Sequence, residues 1–362
     1  MNVDLLRRLC ETPGVPGREE RVRALIENEV KGLFDEVRTD PMGSLICMRR
    51  PTRKPGKGRQ PLRVMLACHM DEIGFYVRHI DDKGCLWLNA AGGFDTRNLF
   101  SRRILVCAEG GDLLGVLNPG GKPIHISSPE ERKKIPEVAE FYVDLGLSAQ
   151  KVKKKVRIGD MVVLHEPFIE VGDTFVSKAM DNRVACWLGI ESVRQVAGIG
   201  TSGRGKSASK GAGHACEIHC VFTVQEEVGL RGAMTSAYTV KPDVGIGIDT
   251  TLCCDTPGVP ETERVTKQGD GVAITVMDSS VIATYDLVQQ FESIARKEKI
   301  PHQRSILGRG GTDTAALQKA GSGARAITIS VGTRYIHTVT EMVHRTDLEA
   351  ARNLLAAYLG TV

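Results

Sequence analysis

The chain has 362 residues, 41% hydrophobic and 25% charged, with a formal net charge of +4. That length predicts two domains, or one domain carrying a large insertion. The composition is that of an ordinary globular chain. The charge excess is too small to predict a nucleic-acid binder, and no stretch approaches the ~20 apolar residues of a membrane helix.

The first residues, Met1-Asn2-Val3-Asp4, lack a basic-then-apolar export signal, which predicts a cytoplasmic protein. Ten cysteines, none in a CxxC pair, then read as free and mostly buried thiols. Residues 3–39 read as helical, with Val22, Leu25, Ile26, Val30 and Leu33 at helical spacing. The turn Thr12-Pro13-Gly14-Val15-Pro16-Gly17 divides them into a short first helix and a longer second. The stretch 51–61, with three prolines and two glycines, reads as a basic surface loop.

From about 72 to 173 the texture changes to short apolar runs broken by Gly, Asp and Asn: 73–77, 85–88, 104–107, 113–117 and 161–164. This predicts a small all-β module. The lysine-rich run at 151–155 reads as a solvated face. Beyond Ser177, predicted helices (182–197, 230–238, 284–298, 313–320, 346–359) interleave with predicted strands (217–225, 244–249, 271–277, 325–331). That alternation predicts a βαβ sheet covered on both faces. Because α/β texture lies on both sides of the β module, the predicted architecture is one α/β domain, residues 1–71 and 174–362, with the module at 72–173 inserted. The Gly-, Ser- and Lys-rich stretch 198–215 reads as a mobile loop.

Four apolar runs end in residues with metal-binding chemistry. His69 follows the run 62–68, Glu226 and Glu227 follow 220–225, Asp249 follows 244–248, and His337 lies beyond 326–331. In an open α/β sheet, ligands gather outside the carboxyl ends of the strands, so these four ends predict one shared site. Asp181 opens a helix; it reads either as an N-cap or as a carboxylate bridging two ions ~3.5–4 Å apart. Asp71, two residues beyond His69, is placed to accept that imidazole's second N–H. Adjacent glutamates where a strand stops can enter one cavity from different angles. One would then ligate while the other takes a proton as general base. The mixed N and O donors suit zinc, cobalt or manganese. Asp181 would bridge, with His69 and Asp249 on one ion and Glu227 and His337 on the other. Gly308-Arg309-Gly310-Gly311-Thr312-Asp313 is a Gly-rich turn without the P-loop Lys-Ser/Thr. Gly310 and Gly311 read as a close backbone approach to substrate or to a subunit interface, and Asp313 as an N-cap or a site-ordering residue.

Together, His69-Met70-Asp71-Glu72-Ile73-Gly74, Lys178-Ala179-Met180-Asp181-Asn182-Arg183, Glu226-Glu227-Val228-Gly229-Leu230-Arg231-Gly232-Ala233, Ile248-Asp249 and Arg334-Tyr335-Ile336-His337-Thr338 resemble the tetrahedral (TET) dinuclear metallo-aminopeptidases. That family is also called the glutamyl or deblocking aminopeptidases, and some members carry an older endoglucanase label. The blocks follow the family's order across nearly the whole chain. The resemblance implies a phosphorylase/hydrolase-like three-layer α/β catalytic domain, an inserted β-barrel that mediates dimerisation, and hollow dodecamers built from dimers. It implies that His69, Asp181 and Asp249 hold one metal, that Asp181, Glu227 and His337 hold the other, that Glu226 is the base, and that Asp71 orients His69. Asn182 stands where many members have Asp, and the stretch 198–215 is longer than usual.

The expected activity is removal of N-terminal residues from short peptides. Two rivals share the residues. A related dinuclear carboxypeptidase or amidohydrolase would cut a different amide. A glycosidase would use Glu226 and Glu227 as acid and base without metal.

Overall fold

The computed structural model describes residues 1–56, 58–199 and 213–362. The expected mobile loop at 198–215 lies outside the described residues over 200–212. An 11-stranded mixed sheet forms one body and a closed six-stranded barrel the other. Four parallel strands make the centre of the sheet, in the order Glu217–Thr223, Arg63–His69, Val244–Leu252 and Arg325–Arg334. Their interiors are almost wholly buried, as parallel strands covered on both faces must be. The larger core layer packs the helices Val3–Glu11, Met180–Ala197, Tyr285–Lys297 and Arg345–Thr361 on one face of the sheet. A smaller layer, with Met65, Ala67, Val221, Ala237, Val240 and Leu317, packs Arg231–Val240 and Thr314–Gln318 on the other. Two helical layers around a sheet are the predicted α/β architecture.

The barrel closes through Gly74–Ile80, Leu86–Ala91, Phe141–Asp144, Gly111–Pro119, Arg102–Ala108 and Met161–Leu164. It has its own core, including Phe75, Leu88, Ile104, Val106, Phe141 and Val162. All six strands fall within 72–173. Ile169–Val171 already pairs with Thr174–Ser177 in the large sheet. No helix among the described residues is long and apolar enough to cross a membrane.

The helical reading of 3–39 is corrected in its last part. Helices cover Val3–Glu11 and Glu20–Glu29, but Glu36–Thr39 is a strand, antiparallel to Leu45–Arg49 at the edge of the large sheet. All four of its residues are exposed, so no burial period marked it. Its strand state comes from the ladder to a neighbour that the sequence reading did not identify. The sheet also contains His302–Ile306 and Glu341–His344, which the alternating texture did not reveal.

Candidate metal centre

His69 is the last residue of Arg63–His69, buried between strands paired on both sides. Its Nε2 lies 3.2 Å from Asp181 Oδ1, 3.8 Å from Glu226 Oε2 and 3.9 Å from Asp249 Oδ1. Asp249 does not close its strand, which runs on to Leu252. The neighbouring Arg63–His69 strand pairs with it only as far as Gly247 opposite Ala67, so on that side Asp249 stands beyond the last paired residue, while on the other it pairs with Ser330. Gly247 allows the short helix Thr314–Gln318 to approach this strand; a Cβ there would meet Thr314 Oγ1 at 2.0 Å.

The other half of the site comes from irregular backbone. The Glu217–Thr223 strand stops, and Gln225 takes a left-handed φ of 56°, which turns the chain so that Glu226 and Glu227 both enter the site. His337 likewise has φ 63°. Its Nε2 lies 3.3 Å from Glu227 Oε1 and 3.5 Å from Asp181 Oδ2. Asp181 thus offers one oxygen to each imidazole. The N-cap reading moves by one residue. Asn182 Oδ1 accepts from Ala185 N at 3.1 Å, while its Nδ2 donates to Ile248 O at 2.9 Å. Asn182 therefore caps the helix and ties it to the strand of Asp249, leaving the Asp181 carboxylate free.

Two groups of donor atoms result, each within 4.8 Å of one another: His69, Glu226 and Asp249, and Asp181, Glu227 and His337. The sequence reading grouped Asp181, not Glu226, with His69 and Asp249. The 3.2 Å contact between Asp181 and His69 keeps that grouping within reach. Glu227 Oε1 is buried without a hydrogen-bond partner. The donor set of two imidazoles and four carboxylates fits divalent cations of the zinc, cobalt or manganese type.

The electrostatics follow from crowding these charges away from water. Burial pushes the Glu226 carboxyl well above its usual range, and repulsion from Asp249, Asp313 and Glu227 adds to this against the pull of His69. Burial also raises Glu227 and Asp249. Burial opposes the charge of Asp181, but His337 and His69 outweigh it and hold that carboxyl below the ordinary carboxylate range. His337 moves the other way: burial disfavours its cation, yet Asp181 and Glu227 raise it to about 11. An excess of buried carboxylate is a demand for positive charge, and a bound cation supplies it.

Asp71 lies against His69 and has a second task beside it. His69 Nδ1 lies 3.1 Å from the Asp71 carbonyl oxygen and 3.5 Å from its carboxylate. Beside that contact to His69, the carboxylate also accepts from Glu226 N at 3.1 Å and Glu227 N at 3.0 Å. It therefore fixes the turn that carries both glutamates. Asp313 sits at the start of its helix without capping it. Its Oδ2 accepts from Thr223 Oγ1, its Oδ1 is buried without a partner, and burial raises its carboxyl to about 6. Gly310 and Gly311 pack against the 278–281 turn: Gly310 O accepts from Ser279 N at 3.0 Å, and a Cβ on Gly311 would meet Ser280 Oγ at 2.7 Å.

Three supporting residues escaped the sequence reading. Glu19 Oε1 accepts from Gly17 N and from Gln225 N at 3.1 Å, and burial, aided by Asp71, raises its carboxyl to about 7. Glu341 accepts from the backbone of Asp181 and of His337. Glu72 is buried with Lys178 Nζ at 2.6 and 2.8 Å and Arg183 Nη2 at 3.3 Å. The two cations also bind the carbonyls of Leu9, Cys10, Thr12 and Gly14. This network joins the segment after His69 to the segment around Asp181. The visible signal was an acid beside Asp71 and two bases flanking Asp181. Because a buried pair broken on one side leaves an uncompensated charge, Lys178→Met is expected to cost about 3–5 kcal/mol. Urea unfolding of the variant checks this; a loss within error would mean that the pair does not hold the segments.

The geometry has close relatives. A family profile described as M42 glutamyl aminopeptidase matches residues 51–354. The lysyl aminopeptidase of Pyrococcus furiosus is 30% identical, over 98% of this chain and 96% of its own. The structure of an aminopeptidase from the archaeon Desulfurococcus kamchatkensis superposes with a TM-score of 0.90 at 33% identity, over 99% of this chain and 94% of that one. That of the Pyrococcus horikoshii TET1 peptidase, which can assemble into a tetrahedron or a large octahedral shell, gives 0.83 at 28%, over 99% and 98%. With its paired donor clusters at the head of an α/β sheet and a barrel beside it, the chain belongs to the M42 glutamyl aminopeptidase family and is a metal-dependent aminopeptidase.

Proposed function

We propose that this protein removes N-terminal residues from short peptides with two divalent ions per subunit, zinc in the first instance and cobalt or manganese as alternatives. The observation that carries the proposal is the position of Asp181, one oxygen toward His69 and the other toward His337. His69, Asp181 and Asp249 would hold one ion, and Asp181, Glu227 and His337 the other. When bound, such ions polarise the scissile carbonyl and make an attacking water acidic near neutral pH. Glu226 takes the proton from that water and returns it to the leaving amine. Asp71 positions Glu226 by holding its backbone N–H.

The test is a panel of aminoacyl anilides, N-acylated peptides and C-terminal substrates, run after chelation and with each metal restored. Turnover of free-amine substrates alone, lost in chelator and regained with a divalent ion, is the expected result. Preference for acylated or C-terminal substrates would transfer the site to an amidohydrolase or carboxypeptidase. Activity surviving complete chelation would favour glycosidase-type carboxylate chemistry.

The working form is a homo-oligomer in the cytoplasm, built from dimers and extending to a dodecamer. Support comes from the assembly of the TET1 relative, from ten free cysteines suited to a reducing compartment, and from an apolar barrel surface. Leu114 and Val116 on Gly111–Pro119, and Ile124, Ile126 and Ile135 beyond it, are all exposed. Apolar side chains exposed to this degree in one part of the chain are candidates for an interaction surface. The double variant Leu114→Asp with Ile126→Asp should therefore lower the particle mass in light scattering. An unchanged mass would take the barrel out of the interface.

A further inference from the structure

We propose that Glu341 is a positioning residue that builds one of the two cation sites far more than the other, because it holds two ligands of the Asp181, Glu227 and His337 site and only the shared Asp181 of its neighbour; this rests on the two-cation reading above. Glu341 begins the strand Glu341–His344, which lies between Arg325–Arg334 and Thr174–Ser177. The chain leaving the first of these neighbours carries His337. The chain leaving the second carries Asp181. Glu341 is 2% exposed at the point where the two departures meet. Its Oε2 accepts from Asp181 N at 3.0 Å and its Oε1 from His337 N at 2.6 Å. Both recipients are in irregular backbone: Asp181 has φ −79° and ψ 103° inside a nominal helix, and His337 is left-handed. Neither N–H has a ladder or helix partner, so this carboxylate satisfies both.

Asp71 does the same for Glu226 and Glu227. Thus every member of the Asp181, Glu227 and His337 cluster is held through its backbone N–H by a buried carboxylate. His69 and Asp249 differ. They sit on strands whose ladders fix them. Loss of the Glu341 carboxylate would loosen chiefly the cluster made from loops and reach the other ion only through the shared Asp181. An outer partner of this kind is typically worth about 10–100-fold in metal affinity. Glutamine is the informative replacement, because its amide has one acceptor oxygen and would point N–H groups at the second backbone N–H.

The metal-free protein is titrated with zinc in a calorimeter. The wild type should take up two equivalents. Glu341→Gln should bind one equivalent about 10–100-fold more weakly and the other with a much smaller loss. Combined with His337→Ala it should cause little further loss, and combined with Asp249→Ala it should weaken the remaining ion strongly. Such non-additivity is the mark of action on one shared site. Two undiminished equivalents, or equal weakening of both, would overturn the role of Glu341 while leaving the two-cation reading intact. A wild type that binds fewer than two ions would overturn that reading and this inference together. Should the Gln variant not fold, Glu341→Asp, which keeps both acceptors on a shorter stem, is expected to show the same selective weakening.

Discussion

Glu226→Gln is expected to retain two divalent ions per subunit and to lose about 10²–10⁴-fold in kcat, the usual share of a general base. The substitution preserves shape and one acceptor oxygen but removes the site for the travelling proton. Glu226 Oε2 lies 3.8 Å from His69, and its backbone is held by Asp71, so the side chain should stay in place. The same 3.8 Å puts Glu226 among the donors beside His69 and Asp249. Elemental analysis and kinetics must therefore be read together. Retained metal with lost turnover assigns the base. Lost metal would make Glu226 a ligand, and full turnover would remove it from the mechanism. Asp71→Asn should give a milder loss of kcat, because it disturbs the backbone that presents Glu226 and Glu227 and leaves both side chains in place.

Asp181→Ala is expected to strip both ions, because each half of the site depends on one of its oxygens. The affinity loss should exceed the 10–100-fold typical of a supporting partner, since a direct donor disappears from both clusters at once. In the variant, His69 and His337 lose the carboxylate that lies between them at 3.2 and 3.5 Å. Elemental analysis of protein purified in zinc checks the outcome. Asp249→Ala gives the contrast, with loss of one ion only. If Asp181→Ala held two ions, the bridge would be refuted even with every other residue in its proposed place.

Much of this site was legible in the sequence because strand ends are a one-dimensional signal. Apolar runs mark buried parallel strands, the residues just beyond them face the crevice, and His69, Glu226, Glu227 and His337 occupy such positions. Asp249 shows the limit of that signal. The apolar run stops before it, yet its strand continues to Leu252. It opens to the site because its ladder to the Arg63–His69 strand stops at Gly247, two residues earlier. The short apolar runs of 72–173, broken by Gly, Asp and Asn, likewise foretold a β module, and the closed barrel there has its own core. The strand Glu36–Thr39 was hidden, because an exposed edge segment has no burial period and takes its state from its partner.

The sequence by itself determined which kinds of atoms could bind and roughly where along the chain they stand. It could not say which backbone N–H each buried acid would satisfy. Asp71 is 155 residues from Glu226, and Glu341 is 160 from Asp181. Such pairings depend on which loops leave neighbouring strands, and that is fixed by sheet order and by no local pattern. Nor did local pattern separate Asp181 from Asn182 as cap. Either residue type fills that position, and only the strand beneath, with Ile248 O waiting for an amide, chose Asn182 and left Asp181 facing both imidazoles.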